Sequence, residues 1–216
     1  MPSGKTIVVT GASRGIGLEL VRQLAQQRSN TIFAIVRNAS KADELRALGA
    51  AAASASGSSI VVVQGDITDL TSIQQAADEV RAQAPNATID ILIQNAGINI
   101  GEQLGLINVQ PADLSTQLTA NVTGPVQTVF AFLPLLQQAK TSETEDKDNE
   151  TKKTIAFLSS RCGSLTLAST TEDPGAFMAS YSVAKAALNM AVRKLANELH
   201  SKQASRFTVL ALHPGW

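Results

Sequence analysis

Six short apolar runs alternate with helical patterns along the chain, and this alternation is the feature that most constrains its fold. The runs are Lys5–Thr10, Thr31–Val36, Ile60–Gln64, Ile89–Gln94, Thr154–Leu158 and Phe207–Leu212. They are continuously apolar, which is typical of parallel strands that helices cover on both faces. The helical patterns between them cover Gly15–Arg28, Lys41–Leu48, Leu70–Ala84, Pro111–Gln138 and Ser180–His200. The sequence therefore predicts an α/β fold, a doubly wound parallel sheet, in a single domain over residues 1–216.

Two segments interrupt this alternation. Residues 50–59 consist almost entirely of alanine, serine and glycine, and they predict a flexible surface connection. The segment from Lys140 to Lys153 is rich in charge and predicts a solvated loop, with a regulatory segment as the alternative.

Composition excludes several classes of function. Eighteen basic and eighteen acidic residues balance, and aromatic residues make up 4% of the chain, so neither a basic patch nor a stacking platform indicates nucleic acid. The single cysteine, Cys162, excludes an internal disulfide and a multi-cysteine zinc site, and we expect no metal. Without an apolar signal segment or a run approaching the roughly 20 residues that span a bilayer, the sequence predicts a cytoplasmic protein away from the membrane.

A glycine-rich turn follows the first apolar run and opens the first helix. Gly11, Gly15 and Gly17 give the spacing G-x-x-x-G-x-G. Such a turn lets a pyrophosphate approach backbone N–H groups at a helix N-terminus, because no Cβ atoms stand in the way. The alternative is a glycine-rich turn that only packs closely.

Tyr181 and Lys185 lie four residues apart on a predicted helix, so the phenol and the ammonium project from one face. The unperturbed pKa of tyrosine is about 10, and a neighbouring cation is expected to lower it toward neutrality. Tyr181 is the only tyrosine in the chain. The pair predicts proton transfer in carbonyl/alcohol redox chemistry, with an ordinary tyrosine at a helix edge as the alternative.

Several motifs occur together in one order along the chain. After the glycine-rich turn come Asp66-Ile67, Asn95-Ala96-Gly97, Asn121 in Asn-Val-Thr-Gly, Ser159-Ser160, the Tyr181/Lys185 pair and Pro214-Gly215. In this set and order the chain, from Thr6 to Trp216, resembles the short-chain dehydrogenase/reductase family. Arg161–Ser164 and Ala186–Met190 are similar to fungal ketoreductases and small carbonyl reductases. The resemblance implies a Rossmann-like domain with a nicotinamide cofactor.

The resemblance also implies roles for individual residues at the cofactor. Asp66 would bond the adenine amino group, Ile67 would contact the adenine through its backbone, and Asn95 would lie beside the ribose with its amide bonded to neighbouring backbone. A helix N-cap is the alternative role for Asp66. The predicted cofactor site comprises Gly11, Ser13, Arg14, Gly15, Ile16, Gly17, Arg37, Asp66, Ile67, Asn95, Ala96, Gly97, Tyr181, Lys185, Pro214 and Gly215.

The end of the second apolar run indicates which cofactor binds. NAD-binding proteins place a carboxylate there to bond the ribose 2′-OH, whereas Ala34–Asn38 contains none. Arg37 offers a planar donor fork suited to a 2′-phosphate, and Arg14 in the glycine-rich turn is a second cation. The sequence therefore predicts NADP(H), with two arginines at the surface by chance as the alternative.

Two further residues complete the predicted catalytic set by resemblance. Ser160 would hold the substrate carbonyl, with Ser159 and Ser164 as alternates because an insertion at 170–175 lengthens the usual spacing to Tyr181. Asn121 would hold, through its side chain, a water that links Lys185 to solvent, a kinked helix being the alternative. Cys162 has no histidine near it in sequence and is expected to be an inert, buried thiol.

The predicted function is NADPH-dependent reduction of a ketone or aldehyde to an alcohol, with Tyr181 as the proton donor. The alternative is a non-catalytic or weakly active NADP(H)-binding regulatory protein. The resemblance implies a homodimer or homotetramer formed through helices 111–138 and 180–200. Family members continue past Pro214-Gly215 with a substrate-covering loop, a helix and a last strand, which we expect the chain to lack. Phe207–Leu212 would then be a sheet edge that a neighbouring subunit covers, the alternative being a poorly active, marginally stable fragment.

Overall fold

A six-stranded parallel sheet forms the centre of the protein. The computed structural model describes residues 4–100, 105–138, 152–169, 175–203 and 206–215. The strands are β1 (Thr6–Thr10), β2 (Thr31–Val36), β3 (Ser59–Gln64), β4 (Ile91–Gln94), β5 (Lys153–Leu158) and β6 (Phe207–Leu212). They pair in parallel in the order β3-β2-β1-β4-β5-β6. The predicted doubly wound sheet is confirmed, and its order reverses direction between β1 and β4, where such folds bind ligands.

Seven helices connect the strands within the described residues. They are α1 (Gly15–Gln26), α2 (Asp43–Ala55), α3 (Leu70–Gln83), α4 (Pro111–Leu118), α5 (Gly124–Gln137), α6 (Leu165–Ala168) and α7 (Ala179–Gln203). A π-helical segment, Thr119–Thr123, joins α4 to α5. The predicted helix Pro111–Gln138 is therefore one continuous helix that contains a π-helical turn. Such segments are frequent at functional sites.

Alternate side chains of the central strands enter two separate apolar layers. Ile7 and Val9 of β1 pack with α1 and α2 on one face, through Val21 and Leu45 among others. Val8, one residue away, faces the opposite layer, which α3, α5 and α7 complete. This two-sided burial explains why the strands read as continuous apolar runs.

The predicted flexible connection over residues 50–59 is wrong. Residues 50–55 form the end of α2, and Ser59 begins β3. Alanine has the highest helix propensity, and Ala52 adds burial in the α1–α2 layer. Ser56 then ends the helix, since its hydroxyl donates to the carbonyl oxygens of Ala25 and Ala52.

The amino ends of β4 and β5 contain a buried ion pair that the sequence did not predict. Lys153, expected in the charged loop, begins β5 and is 2% exposed. Its Nζ lies 3.2 Å from Oδ1 of Asp90 and donates to Thr88 Oγ1 and the Ile89 carbonyl, both at 3.0 Å. The backbone N–H of Thr6 donates to the other Asp90 oxygen at 2.9 Å. The rest of the predicted loop, residues 140–151, lies outside the described residues.

Within the described residues, β6 lies at one edge of the sheet. Its side chains Leu210 and Leu212 are 39% and 44% exposed. Among the described residues, none of the helices combines the length and the apolar composition that crossing a bilayer requires.

Candidate active site

A cavity of about 670 Å³ opens at the carboxyl ends of the central strands. Twelve of the predicted cofactor residues line it: Gly11, Ser13, Arg14, Gly15, Ile16, Gly17, Arg37, Asp66, Ile67, Asn95, Ala96 and Gly97. Eight lining residues were not predicted: Ile35, Gly65, Thr68, Ile98, Ser115, Thr116, Thr119 and Ala120. Gly65 and Thr68 flank a predicted motif and could have been found from it. Ser115 and Thr116 on α4, and Thr119 and Ala120 in the segment that follows it, belong to no predicted motif. Only the fold brings these four residues to the cavity.

Glycine is required at different positions of the first turn for different physical reasons. Gly11 and Gly15 have φ angles of +66° and +56°, which other residues adopt at a cost. A Cβ on Gly17 would lie 2.3 Å from the Gly11 carbonyl oxygen, so close packing requires that glycine. A Cβ on Gly15 would meet nothing within 4 Å. Close packing therefore accounts for Gly17, whereas Gly15 borders open space at the N-terminus of α1.

Asn95 joins the carboxyl end of β4 to this turn. Its Nδ2 donates to the carbonyl oxygens of Thr10 and Gly11, at 2.9 and 3.1 Å. The Thr10 hydroxyl in turn accepts from the backbone N–H groups of Asn95 and Ala96, both at 3.1 Å. These bonds hold two walls of the cavity together before any ligand binds.

Asp66 is not a helix N-cap. Its Oδ1 accepts from the backbone N–H and the hydroxyl of Thr68, at 2.9 and 2.7 Å, which closes a tight turn. Asp69 caps α3 instead, since it accepts from the N–H groups of Thr71 and Ser72. The Ile67 carbonyl accepts a hydrogen bond from Gln127 on α5. The Asp66–Ile67 segment is thereby fixed at the cavity wall.

Arg14 and Arg37 supply positive charge at the same cavity. Both side chains are exposed, and neither guanidinium forms a hydrogen bond or ion pair with any residue that the structure describes. The only carboxylate among the described lining residues is Asp66. The cavity therefore offers two uncommitted forked donors to an anion.

Ser160 lies beside Tyr181, close enough for its hydroxyl to lower the pKa of the phenol. The Ser160 hydroxyl also accepts from the backbone N–H of Cys162 at 3.2 Å. The two alternates have other partners: Ser159 donates to Asn189 Oδ1 at 2.6 Å, and Ser164 caps α6. Of the three serines, Ser160 has the hydroxyl that reaches the phenol.

Lys185 lies one turn of α7 from Tyr181, with its Nζ 5.4 Å from the centre of the phenol ring. The Nζ donates to the Leu158 carbonyl at 2.7 Å. Burial lowers the pKa of Lys185 to about 8. A Cβ built on Gly97 would be 3.9 Å from that Nζ, so the lysine lies next to a residue that lines the cavity.

The expected lowering of the Tyr181 pKa is not found. Burial raises the pKa of Tyr181 above its ordinary value, and the electrostatic interaction with Cys162 raises it further. The Ser160 hydroxyl lowers this pKa, but less than burial raises it. Desolvation is the largest cause, and no cation of the described residues is among the causes that lower this pKa.

Asn121 lies in the π-helical segment and is 1% exposed. Its Oδ1 accepts from the Ile98 N–H at 3.0 Å, and its Nδ2 donates to the Ile98 carbonyl and to Gln117 Oε1, both at 2.8 Å. The side chain therefore holds the loop after β4. The predicted water link from Asn121 to Lys185 stays a prediction.

The remaining predicted residues lie elsewhere. Pro214 and Gly215 follow β6, are exposed and do not line the cavity. Cys162 is buried, as predicted. Residues 170–174 of the insertion fall outside the described residues. Across the described ranges, no three His, Cys, Asp or Glu side chains come together so as to hold a metal ion.

Comparison with known sequences identifies relatives over nearly the whole chain. The family model described as short chain dehydrogenase matches residues 5–216. The uncharacterised oxidoreductase C663.09c of Schizosaccharomyces pombe is 31% identical over an alignment of 218 positions, which covers 99% of this chain and 74% of that protein. The short-chain dehydrogenase/reductase atnB of an Arthrinium species is 31% identical over an alignment of 217 positions, which covers 96% of this chain and 73% of that protein.

Solved structures share the fold. NADPH-bound carbonyl reductase from chicken fatty liver is 31% identical, with a TM-score of 0.80 over 99% of this chain and 77% of that one. An NADH-dependent reductase complexed with NAD is 20% identical, with a TM-score of 0.78 over 99% of this chain and 79% of that one. Because the same fold occurs with either cofactor, the fold alone does not determine the choice.

Proposed function

The chain belongs to the short-chain dehydrogenase family, and on that premise we propose that it is an NADPH-dependent reductase that converts a ketone or aldehyde to an alcohol. Family membership makes it an oxidoreductase that uses a nicotinamide cofactor. The observation that carries the finer proposal is the convergence of Ser160, Tyr181 and Lys185 beside the cavity, because these three groups suffice to hold a carbonyl oxygen and to protonate it.

The residues at the cavity fit a dinucleotide with a 2′-phosphate. The N-terminus of α1 has no acidic residue in its first turn and no side-chain cap, so its N–H groups suit a pyrophosphate. Arg14 and Arg37 are free to bind the 2′-phosphate, and a carboxylate that would repel it is absent from the described end of β2. When bound, NADPH would supply the hydride that the carbonyl carbon accepts.

Tyr181 would supply the proton. Because burial raises its pKa, the phenol stays protonated at neutral pH, as an acid must be before it donates. The Ser160 hydroxyl would bond the carbonyl oxygen, and the phenol proton would then pass to that oxygen. The phenolate left behind would be stabilised by the Lys185 ammonium, which is charged below pH about 8.

Substrate, assembly and location are proposed at a coarser level. We propose a small or aromatic carbonyl compound as the substrate. A homodimer or homotetramer through α5 and α7 is supported by apolar side chains exposed on those helices, Phe130 at 64% and Met190 at 60%. A cytoplasmic location stays a prediction.

The test of this function is NADPH oxidation with a panel of small and aromatic ketones and aldehydes, for the unmodified protein and Tyr181→Phe. General acid catalysis contributes about 10²- to 10⁴-fold, so we expect Tyr181→Phe to lose at least about a hundredfold in turnover. Its dissociation constant for NADPH, measured by fluorescence titration, should stay near the parental value, because the ring is kept.

Two results would contradict the proposal in different ways. A Tyr181→Phe protein that keeps most of the turnover would show that Tyr181 is not the acid. Tight NADPH binding without reduction of any compound in the panel would instead favour the regulatory alternative.

A further inference from the structure

Gln117, at the end of α4, is fully buried and contacts three separate parts of the chain. Its Oε1 accepts from Asn121 Nδ2 at 2.8 Å. Its Nε2 lies 3.2 Å from both Asn99 Oδ1 and the Ile100 carbonyl, and 3.5 Å from Ser180 Oγ. At 0% exposure no bulk water competes for these contacts. The side-chain amide of Gln117 therefore connects α4 and the segment after it with the loop after β4 and the first turn of α7.

These contacts lie close to Tyr181 and Lys185 without a hydrogen bond from Gln117 to either. Ser180 directly precedes Tyr181, and Asn99 and Ile100 follow Gly97, which borders the Lys185 ammonium. The loop after β4 is held at a second point by the bonds between Asn121 and Ile98. The position of the phenol relative to that loop thus depends on this buried side chain, together with a direct contact of the Ser180 hydroxyl with the Ile100 carbonyl at 3.5 Å.

We propose that Gln117 is a positioning residue for Tyr181, an inference that rests on the proposed function. An amide fits this position because it presents an acceptor to Asn121 and donors to the Ile100 carbonyl and the Ser180 hydroxyl. An apolar side chain of similar size fills the same volume but leaves the Ile100 carbonyl and the Asn121 amide without this partner. The first turn of α7 then keeps its 3.5 Å contact between the Ser180 hydroxyl and the Ile100 carbonyl but loses the bridge through Gln117, and water reaches the phenol.

The sole tyrosine allows a test that needs no substrate, because phenolate absorbance in an alkaline titration reports Tyr181 alone. Burial raises the Tyr181 pKa, so in Gln117→Met we expect it to fall by about half a unit or more toward its ordinary value. Ser180→Ala removes the α7 partner of Gln117 and the contact with the Ile100 carbonyl but leaves the other bonds of Gln117 in place, so it should shift the pKa in the same direction by less. Gln83→Met is the matched control, since Gln83 is exposed on α3 and bonds only Glu79. Circular dichroism at each pH shows that the fold persists.

Steady-state kinetics give the second measurement. We expect Gln117→Met to lower kcat about tenfold, as a displaced catalytic group does, with an unchanged dissociation constant for NADPH, because Gln117 does not line the cavity. Gln117→Glu adds a pH-dependent rescue. Its protonated acid both donates and accepts, so activity should be partly restored at low pH and lost as the buried carboxyl ionises. Gln117→Met should lack this dependence.

An ordinary structural role predicts a different pattern. If Gln117→Met and Ser180→Ala only unfold at lower temperature, while the Tyr181 pKa and kcat keep their parental values, Gln117 is a satisfied core residue and the inference is wrong. If the unmodified protein reduces no carbonyl compound, the proposed function fails, and the phenol titration still decides whether Gln117 positions Tyr181.

Discussion

Two lysines are buried at opposite ends of the sheet, and their surroundings differ. Lys153 lies at the amino end of β5, 2% exposed, with the Asp90 carboxylate at 3.2 Å and two further oxygens at 3.0 Å. Lys185 lies at the carboxyl end, 5% exposed, and contacts one carbonyl oxygen and the face of the Tyr181 ring. Within the described chain, no carboxylate contacts Lys185.

These different surroundings distinguish a lysine that stabilises the fold, Lys153, from one that is available for chemistry, Lys185. A buried charge destabilises the folded state unless it is paired and hydrogen-bonded. Asp90 and the oxygens around Lys153 meet that condition, so this ammonium joins β1, β4 and β5 at their starts. Lys185 has no such compensation, and burial lowers its pKa to about 8, within reach of physiological pH. Both lysines are buried, but Lys153 stabilises one end of the sheet whereas Lys185, in our proposal, takes part in chemistry at the other.

The largest expected effect is on the stability of the amino end. Lys153→Met leaves the Asp90 carboxylate buried without its cation, and losing one partner of a buried pair costs about 3–5 kcal/mol. Lys185→Met is the matched control: it removes an uncompensated buried charge, so at neutral pH its free energy of unfolding should equal or exceed the parental value. Urea denaturation followed by circular dichroism measures both. Equal losses in the two variants would remove the distinction between the lysines.

The pH dependence of stability sharpens the comparison. Between pH about 8 and 10.5 the unfolded chain keeps the Lys185 proton, whereas the folded chain has released it. The unfolded state then binds more protons, so the free energy of unfolding rises with pH across this window, by on the order of 3 kcal/mol in total. Below pH about 8 this contribution to the pH dependence is flat. The rise should disappear in Lys185→Met, and its persistence there would assign it to another group.

The smallest expected effect concerns the exposed cations of the carboxyl end. A charge-assisted guanidinium–phosphate contact contributes about 1.5–3 kcal/mol, so NADPH should bind at least about tenfold more tightly than NADH. Arg37→Asp should reverse this preference. Arg28→Asp makes the same charge change on an exposed residue that does not line the cavity, and it should leave the preference unchanged. Equal dissociation constants for both cofactors in the unmodified protein would contradict the NADP(H) proposal.

Sequence patterns predicted the sheet and much of the cavity because both depend on local signals. Continuous apolar runs predict buried parallel strands, and a glycine-rich turn after such a run is typical of a dinucleotide-binding site. The predictions that were wrong concern residues whose structure depends on contacts with residues distant in sequence. Lys153 looked like the end of a solvated loop, since nothing nearby in sequence reveals that Asp90, 63 residues earlier, would accept its hydrogen bond. Residues 50–55 looked flexible, and packing on α1 made them helical.

The sequence alone determined the fold class, the glycine-rich turn and the one-turn spacing of Tyr181 and Lys185, because each follows from backbone geometry over a few residues. Tertiary structure decided which serine reaches the phenol, that burial raises the Tyr181 pKa where a lowering was expected, and that Gln117 joins three elements. These properties depend on burial and on partners distant in sequence. Desolvation and buried hydrogen bonds exist only once the chain has excluded water, so no local pattern can encode them.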